Sequence, residues 1–101
     1  ISHITGGGLI ENLPRSITDD LCIKINSNSW KIPSIFGWLK DNGNISDEDM
    51  YRVFNCGIGM TLFVDESEAS DISDKIKEFG MKSYIIGEVI HKKENPSVIF
   101  V

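Results

Sequence analysis

Residues 20–26, Asp-Leu-Cys-Ile-Lys-Ile-Asn (DLCIKIN), carry the alternation that decides the fold class. Leu21, Ile23 and Ile25 fall on one side of an extended chain, Cys22 and Lys24 on the other. A period of two marks a strand with one face on a core. On both sides of it the spacing becomes helical. Upstream, Leu9 and Leu13 share a helical face, and Pro14 ends that helix by pushing its predecessor out of the helical region. Downstream, Pro33 suits the first position of a helix. Ile35, Phe36 and Leu39 mark its face, and Gly43 stands where a C-cap belongs.

The pattern continues outward. Ser46 with Asp49 resembles a capping box, Asp replacing the usual Glu or Gln, and starts a helix through Met50, Tyr51, Val53 and Phe54. CGIGMTLFV (Cys56 to Val64) reads as a strand with Ile58, Met60, Leu62 and Val64 in register. Gly57 and Gly59 on its other face permit close approach of a backbone or ligand. Asp65 and Glu68 open a helix carrying Ala69, Ile72, Ile76 and Phe79, closed by Gly80. Its polar side (Asp71, Asp74, Lys75, Lys77, Glu78) reads as a solvated face. KSYIIGEVIH (Lys82 to His91) is a second long strand, KKENP a turn, and SVIFV a last strand antiparallel to its neighbour. The expected class is therefore α+β, a mainly antiparallel or mixed sheet with helices packed on one face.

Composition narrows the function. The chain has 101 residues, enough for one domain, with 41% hydrophobic and 25% charged residues. Its net charge of −5 argues against general nucleic-acid binding, which needs a basic face. Cys22 and Cys56 lack metal or redox spacing and read as buried small hydrophobes in a reducing compartment. Trp30 and Trp38 read as core or interface anchors. No apolar run approaches the roughly 20 residues of a membrane span, and no signal peptide is visible. The expectation is a cytoplasmic protein with no membrane partner. Ile1 stands two residues before the most unusual motif, which leads us to expect a fragment with its upstream part missing.

That motif is HITGGGLIENLPR (His3 to Arg15), with three consecutive glycines among the nine in the chain. Without side chains, the amides of Gly6, Gly7 and Gly8 can surround an anion, and the Thr5 hydroxyl adds a donor. The same glycines equally fit a tight turn that needs positive φ. The spacing is neither a P-loop nor a Rossmann fingerprint. His3 can serve as acid, base or donor near neutral pH, and Arg15 suits planar recognition of phosphate. Asn12 completes the polar set. Glu11 is either a solvated helix residue or one that orients a neighbour.

HITGGGLIENLPR followed by MYRVFNCGIGM (Met50 to Met60) closely resembles the C-terminal portion of the aminoimidazole ribonucleotide synthetase (phosphoribosylformylglycinamidine cyclo-ligase) family. The segment between them, SWKIPSIFGWLKDNGNI, is similar to the family's intervening helix, and the likeness is weakest after Asp65. The resemblance implies an ATP- and Mg²⁺-dependent ring closure in purine synthesis, converting formylglycinamidine ribonucleotide to aminoimidazole ribonucleotide. It implies that residues 1–101 are part of a C-terminal domain, inactive alone. An absent N-terminal domain would pair into a homodimer and hold most of the ATP and Mg²⁺. Thr5, Gly6, Gly7 and Gly8 would then bind a phosphate of substrate or nucleotide, Asn12 and His3 would line the cleft, and Arg15 would assist. His3 is the candidate catalytic acid or base, no residue here is a metal ligand, and Asn55 with its neighbouring glycines would support the loop. The competing reading is a non-catalytic domain that binds phosphorylated ligands or mediates assembly.

Overall fold

A computed structural model describes residues 1–92 and 96–101. The chain runs through β1 (Ser2–His3), α1 (Gly8–Asn12), a 3₁₀ turn (Leu13–Ser16), β2 (Leu21–Ile25), α2 (Ser34–Gly43) and α3 (Asp47–Val53). It continues through β3 (Met60–Thr61), α4 (Glu66–Glu78), β4 (Gly87–His91) and β5 (Val98–Phe100). The class is α+β, as the alternation of patterns predicts. β2 is the central strand of a mixed sheet ordered β4-β2-β5, and β1 with β3 makes a separate antiparallel pair.

The register explains why β2 is central. Ile23 lies opposite Val89 on β4 and Val98 on β5, and Ile25 lies opposite Gly87 and Phe100. Ile23, Ile25 and Val98 are buried with Ile4, Leu9, Leu13, Trp30 and Ile58 in one core. Leu9 and Leu13 are almost fully enclosed, so the short glycine-led helix is fastened to the centre of the molecule. Burying each such leucine stabilises the fold by about 1.5–3 kcal/mol. Cys22, on the opposite face of β2, is also buried, so the central strand is covered on both sides there. Trp30 joins the core and donates its Nε1–H to the Cys56 carbonyl at 3.1 Å, whereas Trp38 is 60% exposed.

Several expectations change. β5 runs parallel to β2 and is not paired with β4, because β2 lies between them. The KKENP turn falls partly on residues 93–95, outside the described residues. Within CGIGMTLFV only Met60 and Thr61 are strand. Cys56 and Gly57 instead form a turn with φ of 53° and 98°, and Gly57 packs against the Pro33 ring. Ile58 enters the core, but Met60, Leu62 and Val64 are exposed and Phe63 packs inward. The turn thus shifts the face that the alternation assigned. The strand expected from Lys82 begins only at Gly87.

Helix ends differ by small steps. Pro33 is the N-cap of α2, one residue before its first turn, and Asn44, at φ 52°, closes it in place of Gly43. Asn tolerates this left-handed geometry better than most residues. α1 ends before Pro14 as expected, with Leu13 as its C-cap. Leu13 nevertheless keeps helical dihedrals and the chain continues as the 3₁₀ turn, in whose first turn the missing N–H of Pro14 costs nothing. α3 begins as expected, with the Ser46 hydroxyl accepting the Asp49 amide at 3.2 Å. On α4, Ala69, Ile72 and Ile76 are half-buried and Ser73 is buried, while Phe79 stands 85% exposed.

Candidate functional site

The glycine loop, residues 5–8, leads from β1 into α1. Ile4 holds its start by donating to the Gly59 carbonyl at 2.9 Å, and Gly8 turns it by donating to the Thr5 carbonyl at 3.0 Å. The three glycines have different duties. Gly7 adopts φ 99° and Gly8 φ 60°, both left-handed, whereas Gly6 has open space around it. A Cβ on Gly8 would collide with the Tyr51 and Phe54 carbonyls at the end of α3. The motif from Met50 to Met60 therefore supports the loop twice, through the end of α3 under Gly8 and through Gly59, which leads into β3 and accepts the Ile4 amide. Asn55 caps its own turn, its Oδ1 accepting the Gly57 amide at 2.8 Å.

Asn12 organises the rest. It is buried, and its Nδ2 donates to the carbonyls of Gly8 at 2.8 Å, Thr5 at 3.2 Å and Gly6 at 3.3 Å. Its Oδ1 accepts from Arg15 at 3.2 Å and from the Thr5 hydroxyl at 3.4 Å. The Asn12 backbone carbonyl accepts from the buried Ser2 hydroxyl at 3.1 Å. Thr5, Gly6, Gly8, Asn12 and Arg15 are thus one hydrogen-bonded unit. His3 lies exposed on β1 opposite Met60, and no hydrogen bond among the described residues ties it to that unit. Ser2 was not among the expected site residues, since a serine beside a strand carries no sequence signal.

On the outer side of the loop the amides of Gly6 and Gly7 meet no acceptor among the described residues. Gly6, Thr5 and Arg15 are exposed. The arrangement offers backbone donors and a guanidinium on one edge, a donor set that recognises a phosphate or carboxylate, while the single O–H of Thr5 is directed to Asn12. Glu11 folds back against Gly7, so a carboxylate borders this edge. Beside Thr5 lies a shallow hollow of about 240 Å³ walled by Ile4, Phe36, Val53, Phe54 and Asn55. Among the described residues no three His, Cys, Asp or Glu side chains gather where a metal ion could bind.

Residues 1–99 match the family described as AIR synthase related protein, C-terminal domain. The chain belongs to this family. Three curated relatives, each named phosphoribosylformylglycinamidine cyclo-ligase, show how this family member compares. The one from Ligilactobacillus salivarius (strain UCC118) is 46% identical over 101 residues, covering 100% of the chain and 29% of the relative. That from Syntrophus aciditrophicus (strain SB) is 47% identical over 89 residues, 88% of the chain and 26% of the relative. That from Thermoanaerobacter sp. (strain X514) is 44% identical over 93 residues, 92% of the chain and 28% of the relative. The AIR synthase-related chain thus spans under a third of the length of these relatives. No helix among its described residues is long and apolar enough to cross a membrane.

Proposed function

We propose that this chain is part of a cytoplasmic, homodimeric cyclo-ligase that converts formylglycinamidine ribonucleotide to aminoimidazole ribonucleotide in purine synthesis. In this reading the reaction consumes ATP, which supplies the phosphoryl group that makes the formamide oxygen a good leaving group. The amidine nitrogen then displaces it and closes the imidazole ring. The task of residues 5–15 is to hold one phosphate, of substrate or nucleotide, in register with the reacting atoms. Positioning of this kind carries much of the catalysis in phosphoryl transfer.

The observation that carries the reading is the pair of Gly6 and Gly7 amides that meet no acceptor among the described residues, with Arg15 close by, in a chain of this family. Backbone amides already pointed at an anion need no reorganisation when charge develops. Arg15 adds a full positive charge whose pairing with Asn12 leaves its remaining donors available. His3, on the strand that feeds the loop, is the proposed acid or base. In this reading the Mg²⁺ and most of the nucleotide belong to an N-terminal domain outside these residues, and no step here depends on them.

The test is an assay of the full-length parent with formylglycinamidine ribonucleotide and ATP–Mg²⁺. Aminoimidazole ribonucleotide should form with the parent and not with residues 1–101 alone. A folded parent that yields no product under these conditions sinks the proposal.

A further inference from the structure

We propose that Asn12 is a positioning residue that aims the loop's amides, and that it does not itself touch the bound anion. The inference rests on the reading of the loop as an anion site. Its basis is the planar trans peptide, in which the carbonyl of one residue and the N–H of the next point in opposite directions. Asn12 Nδ2 draws the Thr5 and Gly6 carbonyls inward, at 3.2 and 3.3 Å. The amides across those two peptide planes are those of Gly6 and Gly7, the two that meet no acceptor. The third carbonyl it draws in is that of Gly8, at 2.8 Å.

The orientation of the Asn12 amide is set by chemistry. Its Nδ2 faces three carbonyls, of which that of Thr5 also accepts the Gly8 amide, while Thr5 and Arg15 bring donors that need an acceptor. Only a carboxamide meets both demands in so small a volume. With its side chain buried and both ends occupied, Asn12 has nothing left to offer a ligand. The Ser2 hydroxyl fixes the same residue from its backbone side. An aspartate here keeps the acceptor but turns a negative charge toward three carbonyl oxygens, which forces the loop open.

The experiment is amide NMR on the 101-residue chain, with inorganic phosphate as the probe. In the free chain the Asn12 side-chain amide should exchange with solvent at least about tenfold more slowly than that of the exposed Asn28. Phosphate should shift the Gly6 and Gly7 amides. Asn12→Asp should weaken phosphate binding at least about tenfold, a difference of about 1.4 kcal/mol, while the spectrum outside residues 2–16 persists. If Asn12→Asp does not fold, Ser2→Ala is read in its place, with a loss of about threefold or more expected from the loosened brace. Fast exchange of the Asn12 amide, or wild-type phosphate affinity in the folded variant, overturns the inference. Absence of phosphate shifts at Gly6 and Gly7 in the wild-type chain overturns the anion reading itself. The two failures are distinct, since the exchange measurement needs no ligand.

Discussion

Each glycine of the triplet answers to a different constraint, and substitution should separate them. Gly8→Ala places a methyl against the Tyr51 and Phe54 carbonyls in a left-handed conformation. It should cost about 1–3 kcal/mol, read as a lowered Tm or denaturant midpoint. Gly6→Ala enters open space without positive φ, so its stability should stay within about 0.5 kcal/mol of the parent. Equal losses from the two substitutions would contradict the packing described for Gly8. At this scale the sequence marked the triplet as special. It did not distinguish the glycine that packs from the one that faces solvent, because that depends on where α3 ends in space.

Among the elements, α3 is the strut under the loop, and its ends are testable. The Ser46 hydroxyl satisfies the Asp49 amide, so Ser46→Ala should lose about 1 kcal/mol. At its other end Cys56 is buried with φ 53°, and its thiol donates weakly to the Met50 carbonyl at 3.6 Å. Burial pushes the Cys56 thiol upward, and burial followed by the neighbouring Cys56 and Asp47 pushes the Tyr51 phenol upward. Both groups favour their neutral forms in the folded chain, so the unfolded chain ionises first as pH rises. Stability should therefore be full at neutral pH and fall as pH climbs past the ordinary thiol range, about 8.5, and on through the phenol range. Melting between neutral pH and pH of about 10.5 measures this, and Cys56→Ala should flatten the slope in addition to lowering Tm at neutral pH. A variant with the parent's alkaline slope would remove Cys56 from the account.

Taken whole, the molecule is a slab of 41 × 38 × 21 Å, thick enough for two layers of secondary structure. Its radius of gyration, 13.9 Å, exceeds the roughly 12.7 Å expected for a chain of this length. The excess matches the large apolar side chains left outside. Met60 is 60% exposed beside the exposed Leu62 and Val64, and Trp38 and Phe79 stand out elsewhere. Surfaces of this kind associate in water. The 101-residue chain should sediment at tens of micromolar as species heavier than its 11.3 kDa monomer. A clean monomer across that range would show that these side chains are too scattered to act together.

What the sequence determined by itself was the set of local commitments. The period of two in DLCIKIN made a strand, Ser46 began a helix, and the HITGGG and NCGIG words identified the family, because caps, turns and periodicity act over a few residues. Tertiary structure decided the rest. It placed β2 between β4 and β5, made β5 parallel, and turned Met60, Leu62 and Val64 outward after the Cys56–Gly57 turn. It also made Asn12 the brace of a loop whose carbonyls lie as far as seven residues earlier in the chain. Those outcomes follow from which backbones meet in three dimensions, and periodicity along one segment carries no record of its partners.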